Sequence, residues 1–377
     1  MRVIQCVNSV YPQTIGGIET HVYHLSKYLA ERGHHVKIIT KKGVFEITRE
    51  GKLKFSNVGI INYLLHANYD LIHMHGWGSL GLGIPFNELT LIISKLKRKS
   101  VVCTPHGFVD VLFSLVRNKK CSFSIHRARA LFYSALVKSF SFRKIDKFVA
   151  TYPNQRLLIR FFGADSKAIY HVPPGVPEDA YAKVDPTPFL KKYGLFDRKI
   201  LGYMGRLDPH KRLADLIYAV QRIRREFRDI ICLIIGPYAG DEQNLRRIIQ
   251  EFNLKEHVIM TGEIDESEKY MALGAIDIFV SPSSHEVFGI ALCEAMAQGK
   301  PVISANNQGA RFLLADGKYG LLYPIGDIEQ LVKQIRHLLL NLEFATKMGN
   351  MARRRAEEFS WRKIIQKFEE IYLSACE

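Results

Sequence analysis

Cysteine is scarce and scattered in this 377-residue chain: Cys6, Cys103, Cys121, Cys232, Cys293 and Cys376, with no Cys-x-x-Cys pair. That spacing excludes a zinc or disulfide scaffold and reads as core thiols in a reducing compartment. Proline is also sparse, at 14 residues, which excludes collagenous and proline-rich chains. No stretch approaches the roughly 18 consecutive apolar residues of a membrane helix. Met1 to Val7 is a short strand without the longer apolar region of a signal peptide, so the expected location is cytoplasmic. Acid is what the first half lacks. Residues 1–190 hold 26 Lys and Arg against 12 Asp and Glu, whereas 191–377 hold 27 against 25, so the net +16 lies almost wholly in the first half. The excess is densest from Arg117 to Lys147, where Arg117, Lys119, Lys120, Arg127, Arg129, Lys138, Arg143, Lys144 and Lys147 meet one acid, Asp146. Such a field draws nucleic acid, anionic membrane or phosphorylated ligands.

The remainder is ordinary globular material, 47% hydrophobic and 24% charged, and long enough for two cores. Short apolar runs of strand length alternate with helical stripes. Val3–Val7, His35–Thr40, Leu71–His75, Val101–Thr104, Lys147–Thr151 and Ala168–Val172 read as strands of a first half. Ile200–Met204, Ile230–Ile235, His257–Met260, Ile278–Ser281 and Pro301–Ser304 read as strands of a second. None alternates strictly, as expected of strands covered on both faces, and the alternation with helices predicts parallel sheets. One helical stripe is Ile18, Val22, Leu25 and Leu29, stopping at Gly33; another is Leu213, Leu216, Ile217, Val220 and Ile223. The pattern breaks once, at Pro173, Pro174, Gly175, Val176 and Pro177. Two α/β domains, 1–180 and 190–358, are expected, followed by a terminal helix over 359–377.

Five segments carry the chemistry. Tyr11 to His21 places Gly16 and Gly17 where a strand turns into a helix, so a ligand approaches the backbone and the helix N–H groups. His73, His75 and His106, the last followed by Gly107, stand at strand ends, the ligand edge of open α/β sheets. No Asp, Glu or Cys joins them at ligand spacing, so no metal is assigned; His106 is the candidate for a substrate hydrogen bond. Gly205 to Arg212 sets Arg206 and Lys211 at a helix mouth, a fork and a point charge for phosphate. Ser281 to Ala297 holds Glu286 and Glu294, on the order of 10 Å apart at helical rise. That is too far for a retaining hydrolase pair and suits one acid on a sugar and another on a ribose. Glu294, in an apolar helix, demands a cation or hydroxyl partner. Asn306 to Ala310 adds backbone donors at the same edge.

Together these segments resemble the retaining nucleotide-sugar glycosyltransferases of the GT-B fold, glycosyltransferase family 4, over nearly the whole chain. The most specific stretch runs from Ser281 to Val302. The resemblance implies two Rossmann-like domains facing a central cleft, with the helix from Trp361 returning to the first. It implies a UDP- or GDP-linked donor, no metal and no other cofactor, and hexose transfer by same-face displacement to a sugar or lipid-linked hydroxyl. It further implies that Gly16 and Gly17 lie near the donor diphosphate and His106 near the donor sugar. Arg206 and Lys211 would hold the diphosphate. Glu286, with Phe288 and Gly289, would hold the sugar, and Glu294 the ribose. One departure is visible: Pro174 precedes Gly175 where the family carries Asn, so that side chain's hydrogen bond is lost. Arg117, Lys119, Lys120, Arg127 and Arg129, interleaved with Leu131, Phe132, Leu136, Val137 and Phe140, read as an acceptor or anionic-membrane surface on the first domain, or equally as a core helix with a solvated basic face. A nucleotide-sugar 2-epimerase of the same fold is the alternative enzyme. A basic nucleic-acid-binding protein would leave Glu286, Glu294 and the near-neutral second half unexplained, so no nucleic-acid partner is expected.

Overall fold

The computed structural model describes residues 1–14, 16–76, 86–106 and 141–377. The chain divides into two compact units. Unit 1 comprises Met1–Gly175 together with Trp361–Glu377, and unit 2 comprises Val176–Ser360.

The described residues of unit 1 form eight strands: β1 (Arg2–Cys6), β2 (His35–Thr40), β3 (Gly43–Ile47), β4 (Leu53–Ser56), β5 (Leu71–His75), β6 (Ser100–Thr104), β7 (Lys147–Ala150) and β8 (Ile169–His171). Their spatial order is β4-β3-β2-β1-β5-β6-β7-β8. From β2 to β8 neighbours run parallel, as the alternation with helices predicts. The sheet is not wholly parallel, however. β3 and β4 form an antiparallel edge, pairing Ile39 with Val44 and Phe45 with Phe55. Helices cover both faces. On one, Leu64, Leu91, Ile93, Ile159 and Phe162 pack against Ile4, Ile72, Met74 and Phe148. On the other, Leu25 and Leu29 of the helix Gly17–Glu31 meet Val3, Leu71, Val102 and Val149. That second face is completed by the helix Trp361–Cys376. Its buried Trp361, Ile364, Ile365, Phe368, Ile371 and Tyr372 recur at the helical period and form one stripe.

Unit 2 carries six parallel strands: β9 (Lys199–Met204), β10 (Ile230–Ile235), β11 (Val258–Gly262), β12 (Ile278–Ser281), β13 (Val302–Ala305) and β14 (Leu321–Tyr323). Their order is β11-β10-β9-β12-β13-β14. Every residue of β10 is buried; Cys232 and Ile234 enter one core, Ile231, Leu233 and Ile235 the other. Burial on both faces is why its sequence does not alternate. The stripe Leu213, Leu216, Ile217, Val220 and Ile223 is buried as one face of the helix Leu213–Ile223. Cys6, Cys103, Cys232 and Cys293 are buried thiols, whereas Cys376 is exposed. No described helix is long and apolar enough to cross a membrane.

Candidate functional site

In an open parallel sheet the ligand crevice lies beyond the strand C-termini, where the chain reverses its direction of travel across the sheet. In unit 2 that point falls between β9, which is flanked by β10 and β12, and β12 itself. The loops after these two strands are the segments holding Arg206, Lys211 and Glu286. They are tied together: the carbonyl oxygen of His210 accepts from the Ser284 backbone N–H at 2.9 Å and from its hydroxyl at 3.0 Å. Asp208 shapes the first loop by accepting from the His210 N–H at 3.0 Å. The result is an ion pair and short hydrogen bond between Lys211 Nζ and Glu286 Oε1. Arg206 is less engaged. Its side chain is 55% exposed, with the nearest carboxylate, Asp208, at 3.7 Å.

The Asn306 to Ala310 segment works as a clamp on the same loop. Gly309 N–H donates to the Glu286 carbonyl at 3.0 Å, and Asn307 Nδ2 donates to the Ser283 carbonyl at 2.9 Å. Asn307 Oδ1 meanwhile caps its own helix, accepting from the Ala310 N–H. A Cβ at Gly309 would stand 2.8 Å from the Glu286 carbonyl and 2.9 Å from the Phe288 nitrogen, so only glycine lets the helix approach. Phe288 is buried, and Gly289, in the left-handed region, precedes the helix Ile290–Ala297. Glu294, on that helix, is buried, and its partner is Lys269, whose Nζ donates at 2.7 Å. Burial pushes its carboxyl above the usual carboxylate range against the pull of the Lys269 ammonium.

In unit 1 the corresponding reversal lies between β1 and β5. Gly16 is the extended residue before the helix Gly17–Glu31; a Cβ there would strike the Glu19 carboxylate, which accepts from Ser9 Oγ at 3.0 Å. Among the described residues, nothing lies within 4 Å of a Cβ placed on Gly17. His73, His75 and His106 are all buried. His73 bridges Tyr372 Oη at 2.7 Å and Thr104 Oγ1 at 2.8 Å. His75 lies 3.2 Å from His106 Nε2 through Nδ1 and 2.7 Å from Gln5 Oε1 through Nε2. His106 adopts a left-handed backbone, and its carbonyl accepts from Gln155 Nε2 at 2.8 Å. Burial lowers the pKa of each ring well below its ordinary value.

The sequence reading missed three participants: Lys269 as the cation of Glu294, Gln5 as the partner of His75, and His21 beside His75 and His106. The missing information was tertiary in each case, because period and spacing do not show which distant side chains a fold brings together. Arg117, Lys119, Lys120, Arg127 and Arg129 lie outside the described residues.

Comparison with known proteins places the chain. The sequence profile described as Glycosyltransferase Family 4 matches residues 15–180, and that described as Glycosyl transferases group 1 matches residues 188–355. A phosphatidyl-myo-inositol mannosyltransferase of Mycobacterium leprae is 24% identical, covering 95% of this chain and 92% of that relative. N-acetyl-alpha-D-glucosaminyl L-malate synthase of Bacillus anthracis is 26% identical, covering 96% and 94%. Sucrose-phosphate synthase from Thermosynechococcus elongatus superposes with a TM-score of 0.78 at 21% identity over 99% of both chains. Anabaena HepE, solved in complex with UDP-glucose, gives 0.77 at 18% identity, over 99% of this chain and 100% of that one. With both halves matched and both sheets carrying their loops at the expected edge, the chain belongs to glycosyltransferase family 4 and is a glycosyltransferase of the GT-B fold.

Proposed function

We propose that the chain transfers a hexose, with retention at the anomeric carbon, from a UDP- or GDP-linked sugar to a hydroxyl of a lipid-linked acceptor. The observation that carries this reading is the loop pair of unit 2 at the reversal point of the sheet, where Lys211 and Glu286 meet and Arg206 stands on the same loop as Lys211. In the reaction the bond from the anomeric carbon to the diphosphate oxygen breaks, and its electron pair leaves with the diphosphate. Arg206 and Lys211 stabilise that developing charge as fixed cations. The departing phosphate oxygen accepts the proton of the acceptor hydroxyl, which attacks from the same face. Glu286 accepts hydrogen bonds from the sugar hydroxyls, with the backbone of Phe288 and Gly289 beside it. Glu294, kept in place by Lys269, accepts from the ribose hydroxyls. In unit 1, Gly16 and Gly17 serve the donor diphosphate and His106 the donor sugar. HepE solved with UDP-glucose supports a nucleotide-sugar donor, and the mycobacterial relatives named for phosphatidyl-myo-inositol support a lipid acceptor.

Association with an anionic membrane, peripheral and on its cytoplasmic side, belongs to the same reading. One face of unit 1 supports it from within the described residues. The helices Ile60–His66, Phe86–Leu96 and Gln155–Phe161 share a core on that face. They expose Ile61, Leu65, Ile92, Leu96, Leu157 and Phe161. Arg156 and Arg160 lie on the same helices, and Lys97, Arg98 and Lys99 follow the second. Apolar contact and basic charge together are what a lipid surface binds.

A thermal-shift panel of UDP- and GDP-linked hexoses tests the donor. One of them should raise the melting temperature by mass action, and Lys211→Met should lower transfer by about 100-fold or more. No shift with any nucleotide sugar, or full activity in Lys211→Met, would overturn the reading. Co-sedimentation should favour anionic over neutral vesicles at low salt; equal recovery would remove the membrane component.

A further inference from the structure

The helix Gly17–Glu31 sets a third imidazole against the pair at the ends of β5 and β6. His21 is 2% exposed, and among the described residues neither of its ring nitrogens has a hydrogen-bond partner. One nitrogen each from His21, His75 and His106 lie within 4.8 Å of one another. An imidazole buried without a partner is costly, and its position calls for a ligand. We propose that His21, His75 and His106 form a binding site for one late first-row divalent metal ion of the Zn²⁺ class.

The surrounding geometry fits that ion. His75 Nδ1 and His106 Nε2 stand 3.2 Å apart, close to the edge of about 3.3 Å that two ligands make in a tetrahedron with Zn–N bonds near 2.05 Å. The outer nitrogen of His75 lies 2.7 Å from the Gln5 carbonyl oxygen, which can only accept. Nε2 therefore carries the proton, and Nδ1 presents its lone pair inward. A metal-bound histidine has this arrangement, with an outer carbonyl fixing its tautomer. Gln5 is itself oriented, because its Nε2 donates to Tyr372 Oη at 3.1 Å. The left-handed backbone at His106, with φ of 45°, is local strain of the kind that aims a side chain at a ligand. Among the described residues the set is three imidazoles and no carboxylate, which selects Zn²⁺, Co²⁺, Ni²⁺ or Cu²⁺ over Mg²⁺ and Ca²⁺.

An ion here would occupy His106 and inhibit transfer. That consequence rests on the proposed role of His106, whereas the binding itself does not.

The test uses the full chain, treated with EDTA and desalted. Co²⁺ is titrated while the visible d–d band is recorded, and Zn²⁺ is titrated against a chromophoric chelator. The expected result is one equivalent bound with a tetrahedral cobalt spectrum. His21→Ala and His21→Asn, each checked for folding by circular dichroism, should weaken binding by more than about 100-fold. Gln5→Leu should weaken it by about 10-fold to 100-fold. His66→Ala, an exposed histidine outside the cluster, serves as the control that leaves binding unchanged. Absence of a bound equivalent in the wild type, or its retention in a folded His21 variant, would overturn the site. Zn²⁺ binding without loss of transfer would keep the site and overturn the assignment of His106 to the donor sugar.

Discussion

Two carboxylate–lysine pairs face opposite demands at the scale of single residues. Lys211 and Glu286 are partly open to solvent and able to exchange partners with an arriving anion. Glu294 and Lys269 are nearly closed off, with side chains 3% and 16% exposed. Removing one member of such a pair strands the other's charge, whereas replacing both with apolar groups is often neutral. Glu294→Gln is therefore expected to cost about 3 kcal/mol of stability. The double change Glu294→Met with Lys269→Met should recover most of it, and neither variant should retain nucleotide affinity. Urea denaturation with nucleotide titration checks both halves; an undiminished affinity in a folded variant would sink the ribose role. Glu294 was legible as a candidate because an acid in an apolar helix is conspicuous, and Glu286 because it stands in the loop between a strand and that helix. Their cations were not, since Lys269 sits on the helix Glu266–Ala275, 25 residues before its partner, and no local pattern links the two. His21 was equally hidden. It lies within the glycine-led segment, but period and spacing show only its helix face.

Elements show the same division. Strands buried on both faces announce themselves as apolar runs, and those were readable. The β3–β4 edge was not, because Glu46 interrupts the apolar run of β3 and β4 is short and mostly exposed, with Glu46 and Lys54 facing each other across the pair. An edge of that kind is half solvated and carries charges that deter pairing with other chains. β14, with three residues, is too short to register as a run. The Asn306 to Ala310 segment looked weak in sequence and proves to act through backbone contact, which composition does not report. Gly309→Ala should therefore disturb the Glu286 loop without unfolding the sheet. The expectation is a donor affinity lowered by about 10-fold and a melting temperature lowered by a few degrees, measured by calorimetry with nucleotide sugar. An unchanged affinity would mean the clamp is dispensable.

At the scale of the molecule, unit 1 is discontinuous in sequence. Gly175 is the last residue of its first stretch and Trp361 the first of its second, and a Cβ at Gly175 would lie 2.4 Å from the indole. In unit 2, Val176 donates its N–H to Phe359 at 2.8 Å and bridges to Ser360. Deleting residues 361–377 removes Trp361, Ile364, Ile365, Phe368, Ile371 and Tyr372 from one face of the unit 1 sheet. At about 1.5–3 kcal/mol per buried apolar side chain, that loss is comparable to the whole stability of a typical domain. The 1–360 fragment should bind a hydrophobic dye through unit 1 and yield protease-resistant unit 2. A synthetic 361–377 peptide should suppress dye binding; a fragment that melts like the full chain would refute the dependence.

This discontinuity also sets a timetable. Residues 361–377 leave the ribosome only after all of unit 2 has been made, so one face of an early-made sheet stays uncovered through the synthesis of 185 intervening residues. Nascent unit 1 is then the aggregation-prone partner, the natural client of holding chaperones, while unit 2 is free to finish first.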